Sequence, residues 1–262
     1  MITTAKRQDS RSTILAQPDD LSGQRTQQLM LLCSRRRLDP AEAARAHGLI
    51  ESGIAWNQLW DQAWHNGLAP LVFHNLRTLD VGGRVPSAVW RQFEEDYYNT
   101  LSSNVLLETE MVRVTDRLAA AGIDRLLLKG AVLGELLYPD PALRPSSDID
   151  VMVRHEQLTQ AQAILHELGY TIQPGRQLDF QLTRSYDIPF VRAAADGQPV
   201  LLELHWHLAE PGLFDLDAAT LWARARQMEV HHHPLPTLSL EDLLLHLTIH
   251  IRKHRFVGLR WL

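Results

Sequence analysis

The sequence has little of the chemistry expected of a secreted or membrane protein. Its 262 residues include one cysteine, Cys33, so no disulfide can form within the chain and a zinc site made only of thiolates is excluded. The first twenty residues are polar and lack the apolar run of a signal peptide. No stretch has the length of a membrane-spanning helix. These absences predict a cytoplasmic protein with no membrane partner.

An excess of basic residues is also absent. Lys and Arg number 26 against 31 Asp and Glu, which gives a net charge of −5. Because a non-specific duplex-DNA binder needs a basic surface, this balance argues against duplex DNA as a partner. A small basic pocket for a nucleotide is still compatible with it. Hydrophobic residues make up 45% of the chain, which is enough for a packed core.

Residue patterns divide the chain into four parts. Residues 1–23 have no periodicity and are expected to form a flexible leader. Residues 24–121 carry apolar residues at helical spacing, and we assign their tryptophans to core packing. Residues 122–207 mix strand and helix patterns, whereas residues 208–262 return to helical spacing and end without a helix-stop signal. The last part is therefore expected to be a helical region that is cut short.

The third part predicts an α+β unit. Its expected elements are strand 123–128, helix 130–138, strand 148–153, helix 156–168 and a hairpin of strands 186–192 and 200–207. A capping box at Ser239 and Asp242 predicts the start of a helix in the fourth part.

Acidic residues in the third part indicate a metal site. Asp148 and Asp150 are two apart, so in a strand both carboxylates lie on one face. Such a pair repels unless a cation lies between its members, and Mg²⁺ suits oxygen ligands. Glu203 is improbable as a core residue in its apolar strand and fits as a third ligand. An Asp-x-Asp pair also occurs in plain turns at strand edges, so spacing alone leaves both interpretations open.

Several short motifs surround these acids. They are Leu128-Lys129-Gly130, Leu137-Tyr138-Pro139-Asp140-Pro141, Arg144-Pro145-Ser146-Ser147-Asp148-Ile149-Asp150, Glu203-Leu204-His205-Trp206 and the segment Glu241–His246. In this order they resemble a bacterial family of uncharacterised nucleotidyltransferases within the DNA polymerase β-like superfamily. The resemblance covers roughly three quarters of the chain. It implies a small mixed sheet with helices, the polymerase β-like core, flanked by N- and C-terminal helical regions.

The resemblance also implies a mechanism. Asp148, Asp150 and Glu203 would be the catalytic residues and would hold two Mg²⁺ ions. A nucleoside triphosphate would be the donor, and the acceptor would be an unidentified hydroxyl on a small molecule, a peptide or protein, or an RNA end. The residues expected to bind the donor are Lys129, Gly130, Ala131, Arg144, Ser146, Ser147 and His205.

One departure from the superfamily lies at the glycine turn. Most members have Gly-Ser or Gly-Gly there, whereas this chain has Lys129-Gly130-Ala131. Without the hydroxyl, phosphate binding would depend on backbone amides, Lys129 and Arg144. The alternatives for these two cations are a lysine that extends to water and an arginine bridged to a loop carboxylate.

Histidines supply a rival chemistry. His205 and His207 would share the strand face of Glu203, and a stripe at His246, His250 and His254 would share one helix face. Either set could ligate zinc, although a half-buried polar helix edge is the simpler interpretation of the stripe. Three function classes therefore stay open: a nucleotidyltransferase, a metal-dependent phosphoesterase that uses Asp148, Asp150, Glu203 and His205, and a nucleotide-binding protein with a degenerate site.

Overall fold

A computed structural model describes residues 21–176, 178, 182, 184–195, 197–210, 212–214, 216–230, 232–253 and 255. The helices in this part of the chain are α1 (Leu21–Cys33), α2 (Pro40–Glu51), α3 (Trp56–His65), α4 (Ala69–Thr78), α5 (Ser87–Ala120), α6 (Gly130–Leu137), α7 (Leu158–Glu167), α8 (Ala218–Ala223) and α9 (Leu240–Lys253). The strands are β1 (Arg125–Leu127), β2 (Ile149–Val153), β3 (Thr171–Ile172), β4 (Asp187–Ala193), β5 (Pro199–His205), β6 (Arg226–Val230) and β7 (His233–Thr237).

The strands form one mixed sheet in the order β3-β4-β5-β2-β1-β7-β6. Strand β2 at its centre runs antiparallel to β1 and parallel to β5. Its five residues are all buried, which is typical of a strand covered on both faces. The predicted α+β fold class is confirmed, and the elements expected between residues 123 and 207 are found with shifts of a few residues at their ends.

Two hydrophobic cores share helix α5. Val89 and Phe93 near its start pack with α1 to α4, while Val114 and Leu118 near its end pack against the sheet. At 34 residues the helix is about 51 Å long, so it can belong to both cores. The helix ends at Ala120, and the chain turns away at Gly122, whose φ of 73° suits glycine at this position.

Local sequence signals explain where individual helices begin. Asp39 and Glu42 form a capping box around Pro40 at the start of α2. The expected cap of α9 is also present, since the Ser239 hydroxyl accepts a hydrogen bond from the Asp242 amide at 3.1 Å. These caps satisfy backbone amides that have no partner within the helix.

Three expectations need correction. Residues 21–23, assigned to the leader, begin helix α1, and residues 1–20 lie outside the described residues. Trp64 is 53% exposed, so it does not pack in the core as Trp56 and Trp60 do. Residues 208–262 are not purely helical, because β6 and β7 form a hairpin that extends the sheet beyond β1. The hairpin was missed because its sequence is rich in His and Pro and lacks apolar alternation.

The single cysteine provides a test of the helical core. Cys33 is fully buried, and burial raises the pKa of its thiol to about 12. A native-state thiol with a raised pKa contributes stability below its unfolded pKa of about 8.5 and loses that contribution as the pH rises towards 12. We expect native protein at pH 8 to react with a thiol reagent only at the rate of unfolding.

The same thiol predicts a pH dependence of stability. Between pH 9 and 11 the free energy of unfolding should fall more steeply for the native sequence than for Cys33→Ala, measured by urea denaturation. Parallel slopes for the two proteins, or fast thiol labelling under native conditions, would contradict the burial of Cys33.

Candidate active site

The acidic residues predicted from the sequence converge where β2 and β5 lie side by side. Asp150 of β2 is in register with Glu203 of β5, and Asp148 lies just before β2. Strands β1 and β2 run antiparallel, so the turn that follows β1, with Lys129 and Gly130, reaches the same point. The structure therefore brings residues from three separate segments into one cluster.

Lys129 and Asp150 form the centre of that cluster. The Lys129 ammonium lies 2.6 Å from both carboxylate oxygens of Asp150 and 3.9 Å from Asp148 Oδ2. The Asp150 and Lys129 side chains are 1% and 6% exposed. Burial alone would raise the pKa of Asp150, but the Lys129 charge and the hydrogen bond from His205 outweigh it and hold this pKa well below its usual value.

His205 closes the other side of the cluster. Its Nε2 lies 3.2 Å from Asp150 Oδ1 and 3.3 Å from Glu203 Oε2. Burial would lower its pKa, but hydrogen bonds to these two carboxylates raise the pKa to about 9. The imidazole is thus protonated near neutral pH, and its Nε2 donates to the two carboxylates.

Asp148 and Glu203 form the solvent-facing side of the cluster. Their side chains are 24% and 26% exposed, far more than that of Asp150. Burial and the neighbouring Asp150 charge raise the pKa of Asp148 to about 6, so its carboxylate is ionised at neutral pH. Two carboxylates facing an open cleft are suited to bind a hard cation.

Helix α6 begins beside these acids. Gly130 has a φ of 42°, and a Cβ there would lie 3.6 Å from the Asp148 carbonyl oxygen. Glycine is needed because other residues rarely adopt this conformation. The first amides of α6, at Gly130 and Ala131, have no partner within the helix and so favour anions. Arg144 lies at the same end and donates to the Gly130 carbonyl oxygen at 3.2 Å.

Two cavities meet at this end of α6. The inner cavity, about 250 Å³, lies between α5 and α6, and the outer cleft is about 340 Å³. Both are lined by Lys129, Gly130, Tyr138, Arg144, Ser146 and Asp148. The inner cavity adds apolar residues such as Leu107 and Met111, whereas the outer cleft adds the cations Arg176 and Lys253 together with Ser147 and Glu203.

No sequence motif marks the residue that fixes the loop before Asp148. Asn104 of α5 donates to the carbonyl oxygens of Pro141 and Arg144 at 2.6 and 2.9 Å, and its own oxygen accepts from the Ser146 amide. Leu143 anchors the same loop in the helical core. An asparagine in a long helix has no local signature, so only the tertiary contact reveals this role.

Of the rival histidines that the structure describes, only His205 lies in the cluster. Strand β5 ends at His205, so His207 does not share a strand face with Glu203 as expected; it contacts the carbonyl oxygens of Ala209 and Leu216 instead. His246 is buried 6.5 Å from the His205 ring, and His254 lies outside the described residues. Within those residues the single group of three candidate metal ligands is Asp150, Glu203 and His205, so the described histidines of the stripe do not form a zinc site.

Comparison with models of known protein families identifies the family of this chain. The sequence model of the family described as uncharacterised nucleotidyltransferase matches residues 52–262. The chain belongs to this family. The resemblance inferred from the motifs is thereby confirmed. No curated protein sequence gives a significant match to this member of the uncharacterised nucleotidyltransferase family.

Solved structures similar to this family member include an antibiotic adenylyltransferase and an antibiotic-resistance factor. The lincomycin-bound lincosamide antibiotic adenylyltransferase LnuA has 15% identity and a TM-score of 0.38, with 53% of this chain and 84% of that chain covered. The solution structure of antibiotic-resistance factor ANT(2'')-Ia has 15% identity and a TM-score of 0.38, covering 58% and 74%. An antigenic nucleotidyltransferase-like protein from Paracoccidioides brasiliensis has 16% identity and a TM-score of 0.40, covering 59% and 70%.

Among the described residues, no helix combines the length and the apolar character that crossing a bilayer requires.

Replacing Asn104 tests whether this residue holds the loop. We expect Asn104→Ala to lose about 1–3 kcal/mol of stability, because it removes three hydrogen bonds to backbone groups. Amide hydrogen exchange over residues 141–147 should accelerate at least tenfold. Asn99→Ala, an exposed position on the same helix, is the matched control and should leave this exchange unchanged. Equal exchange in the two variants would refute the assignment.

Proposed function

We propose that this protein transfers a nucleoside monophosphate from a nucleoside triphosphate to a hydroxyl acceptor and releases pyrophosphate, with Mg²⁺ as cofactor. The observation that supports this most directly is the convergence of Asp148, Asp150 and Glu203 beside the first turn of α6. Carboxylates beside a phosphate-binding helix end are what phosphoryl transfer needs, because its catalysis consists mainly of positioning and charge stabilisation.

The side chains of the cluster fit a hard divalent ion. Asp148 and Glu203 offer carboxylate oxygens at the cleft, and ligand atoms of Glu203, Asp150 and His205 lie within 4.8 Å of one another. His205 is the least suited of these three to Mg²⁺, which prefers oxygen ligands, and its Nε2 is already within hydrogen-bond distance of both carboxylates. When bound there, Mg²⁺ would lower the pKa of the acceptor hydroxyl and offset the charge of the triphosphate.

The two cavities offer different surroundings to the two ends of a nucleotide. Leu107 and Met111 offer a base an apolar patch in the inner cavity, and the acids Glu108 and Glu135 there suit ribose hydroxyls. The outer cleft, with Arg176 and Lys253, suits the β- and γ-phosphates. The backbone amides of Gly130 and Ala131 would then contact the phosphates where the two cavities meet.

The reaction would take place where the two cavities meet. An oxygen of the acceptor hydroxyl would bond to the α-phosphorus, and the bond from that phosphorus to the β-bridging oxygen would break. Pyrophosphate would leave with that oxygen, its charge offset by Arg144, Arg176 and Lys253. The hydroxyl proton would leave to water in the open cleft.

Calorimetry with each of ATP, GTP, CTP and UTP tests the proposal. We expect Mg²⁺-dependent binding of at least one triphosphate, and a loss of affinity of at least tenfold in Asp148→Asn, which removes a cleft carboxylate without uncovering a buried charge. Asp61→Asn, at an exposed position on α3, is the matched control and should bind like the native sequence. Equal binding by native protein and Asp148→Asn would remove the proposed role of Asp148.

Product analysis separates the three function classes. Pyrophosphate release with incorporation of the nucleotide supports transfer. Release of inorganic phosphate without incorporation indicates a phosphoesterase, and binding without turnover over a broad acceptor panel indicates a degenerate nucleotide-binding protein.

Filling the inner cavity tests where the nucleoside binds. A Cβ on Gly134 of α6 would meet no atom within 4 Å, and this residue lines the cavity. Gly134→Leu should therefore fold normally, since leucine favours helix more than glycine does. It should weaken triphosphate binding at least tenfold by occupying the cavity.

The control for this variant is Gly48→Leu. Gly48 is an exposed helical glycine of α2 with the same open surroundings. The Gly48→Leu variant should bind the triphosphate as tightly as the native sequence does. Undiminished binding by Gly134→Leu would exclude the inner cavity as the nucleoside site.

A further inference from the structure

Lys129 occupies the space between the two aspartates of the site. Its ammonium lies 2.6 Å from both oxygens of Asp150 and 3.9 Å from Asp148 Oδ2. Its side chain is 6% exposed, so it is enclosed by the protein rather than extended to water. A cation that bridges Asp148 and Asp150 would need this same position, and the chain places its own ammonium there.

The oxygens of Asp150 are already engaged. Oδ1 contacts both Lys129 and His205, and Oδ2 contacts Lys129. A Mg²⁺ bound to either oxygen would lie within about 5 Å of the ammonium, given an Mg–O distance of about 2.1 Å. Like charges that close repel strongly in a buried site. A metal ion can therefore use Asp150 fully only if Lys129 leaves.

The charge of the cluster leads to the same conclusion. Asp148, Asp150 and Glu203 supply three carboxylates, and the Lys129 ammonium contacts both oxygens of Asp150. The other two carboxylates, those of Asp148 and Glu203, lie at the cleft side and are about a quarter exposed. A pair of carboxylates suits one divalent ion better than two.

We propose that the Lys129 ammonium takes the place of one of the two metal ions expected from the motifs. The site then holds a single divalent ion, between Asp148, Glu203 and the substrate phosphates. The inference rests on the proposed function and changes its expected cofactor content from two ions to one. Lys129 is then a positioning residue that holds Asp150 and neutralises it. Its expected role as a phosphate ligand is replaced by this contact.

Counting bound Mn²⁺ tests the inference without an activity assay. The full chain is titrated with Mn²⁺ and the free ion is followed by electron paramagnetic resonance. The titration is run first with Mn²⁺ alone and then with a triphosphate whose α–β bridging oxygen is replaced by a methylene group. We expect one Mn²⁺ per chain in both titrations. Two ions per chain with spin–spin broadening would overturn the inference.

Variants at Lys129 test whether its charge sets this count. Lys129→Met removes the charge at similar length and should admit a second Mn²⁺, whereas Lys129→Arg keeps the charge and should hold the count at one. Because Lys129→Met leaves a buried carboxylate without its partner and can fail to fold, Lys129→Gln serves as a second neutral variant that still donates a hydrogen bond. A count of one in a folded neutral variant would overturn the role of Lys129.

The inference and the proposed function fail in different ways. Two Mn²⁺ ions in the complex with the triphosphate analogue overturn the inference and leave the proposed function standing. One Mn²⁺ per chain without any binding of the analogue supports the inference and overturns the proposed function. No Mn²⁺ in either titration overturns both.

Discussion

The buried contact between Lys129 and Asp150 is the interaction on which the site depends. A carboxylate enclosed in a sheet has a large desolvation cost, of several kcal/mol, unless an opposite charge and hydrogen bonds compensate it. Asp150 receives both, from Lys129 after β1 and from His205 at the end of β5. The contact therefore ties together the three strands that carry the site and fixes where Asp148 and Glu203 face the cleft.

The surroundings of the site are set by a division of the molecule into two cores. Helix α5 belongs to both, and the loop that leads to Asp148 is held against it by Asn104 and anchored by Leu143 in the helical core. The N-terminal helices thus form one wall of the cavities, while the sheet supplies the carboxylates. This arrangement separates the residues that would select a substrate from those that would react with it.

Much of the fold and part of the site could be predicted from local patterns. The capping box at Ser239 located the start of α9, and the Asp-x-Asp spacing identified Asp148 and Asp150. The hairpin β6–β7 could not be predicted, because a His- and Pro-rich strand forms through pairing with a distant strand rather than through its own preferences. The same holds for Asn104, whose partners are about 40 residues away.

By itself, the sequence determined the fold class, the family and the identity of the acidic residues, because periodicity and short motifs are properties of neighbouring residues. The tertiary structure alone decided that Asp150 pairs with Glu203, that His207 turns away, and that the Lys129 ammonium lies between the aspartates. Strand register and side-chain burial depend on segments that are far apart in the chain. They are fixed by the free energy of packing and of charge desolvation, which no local pattern records.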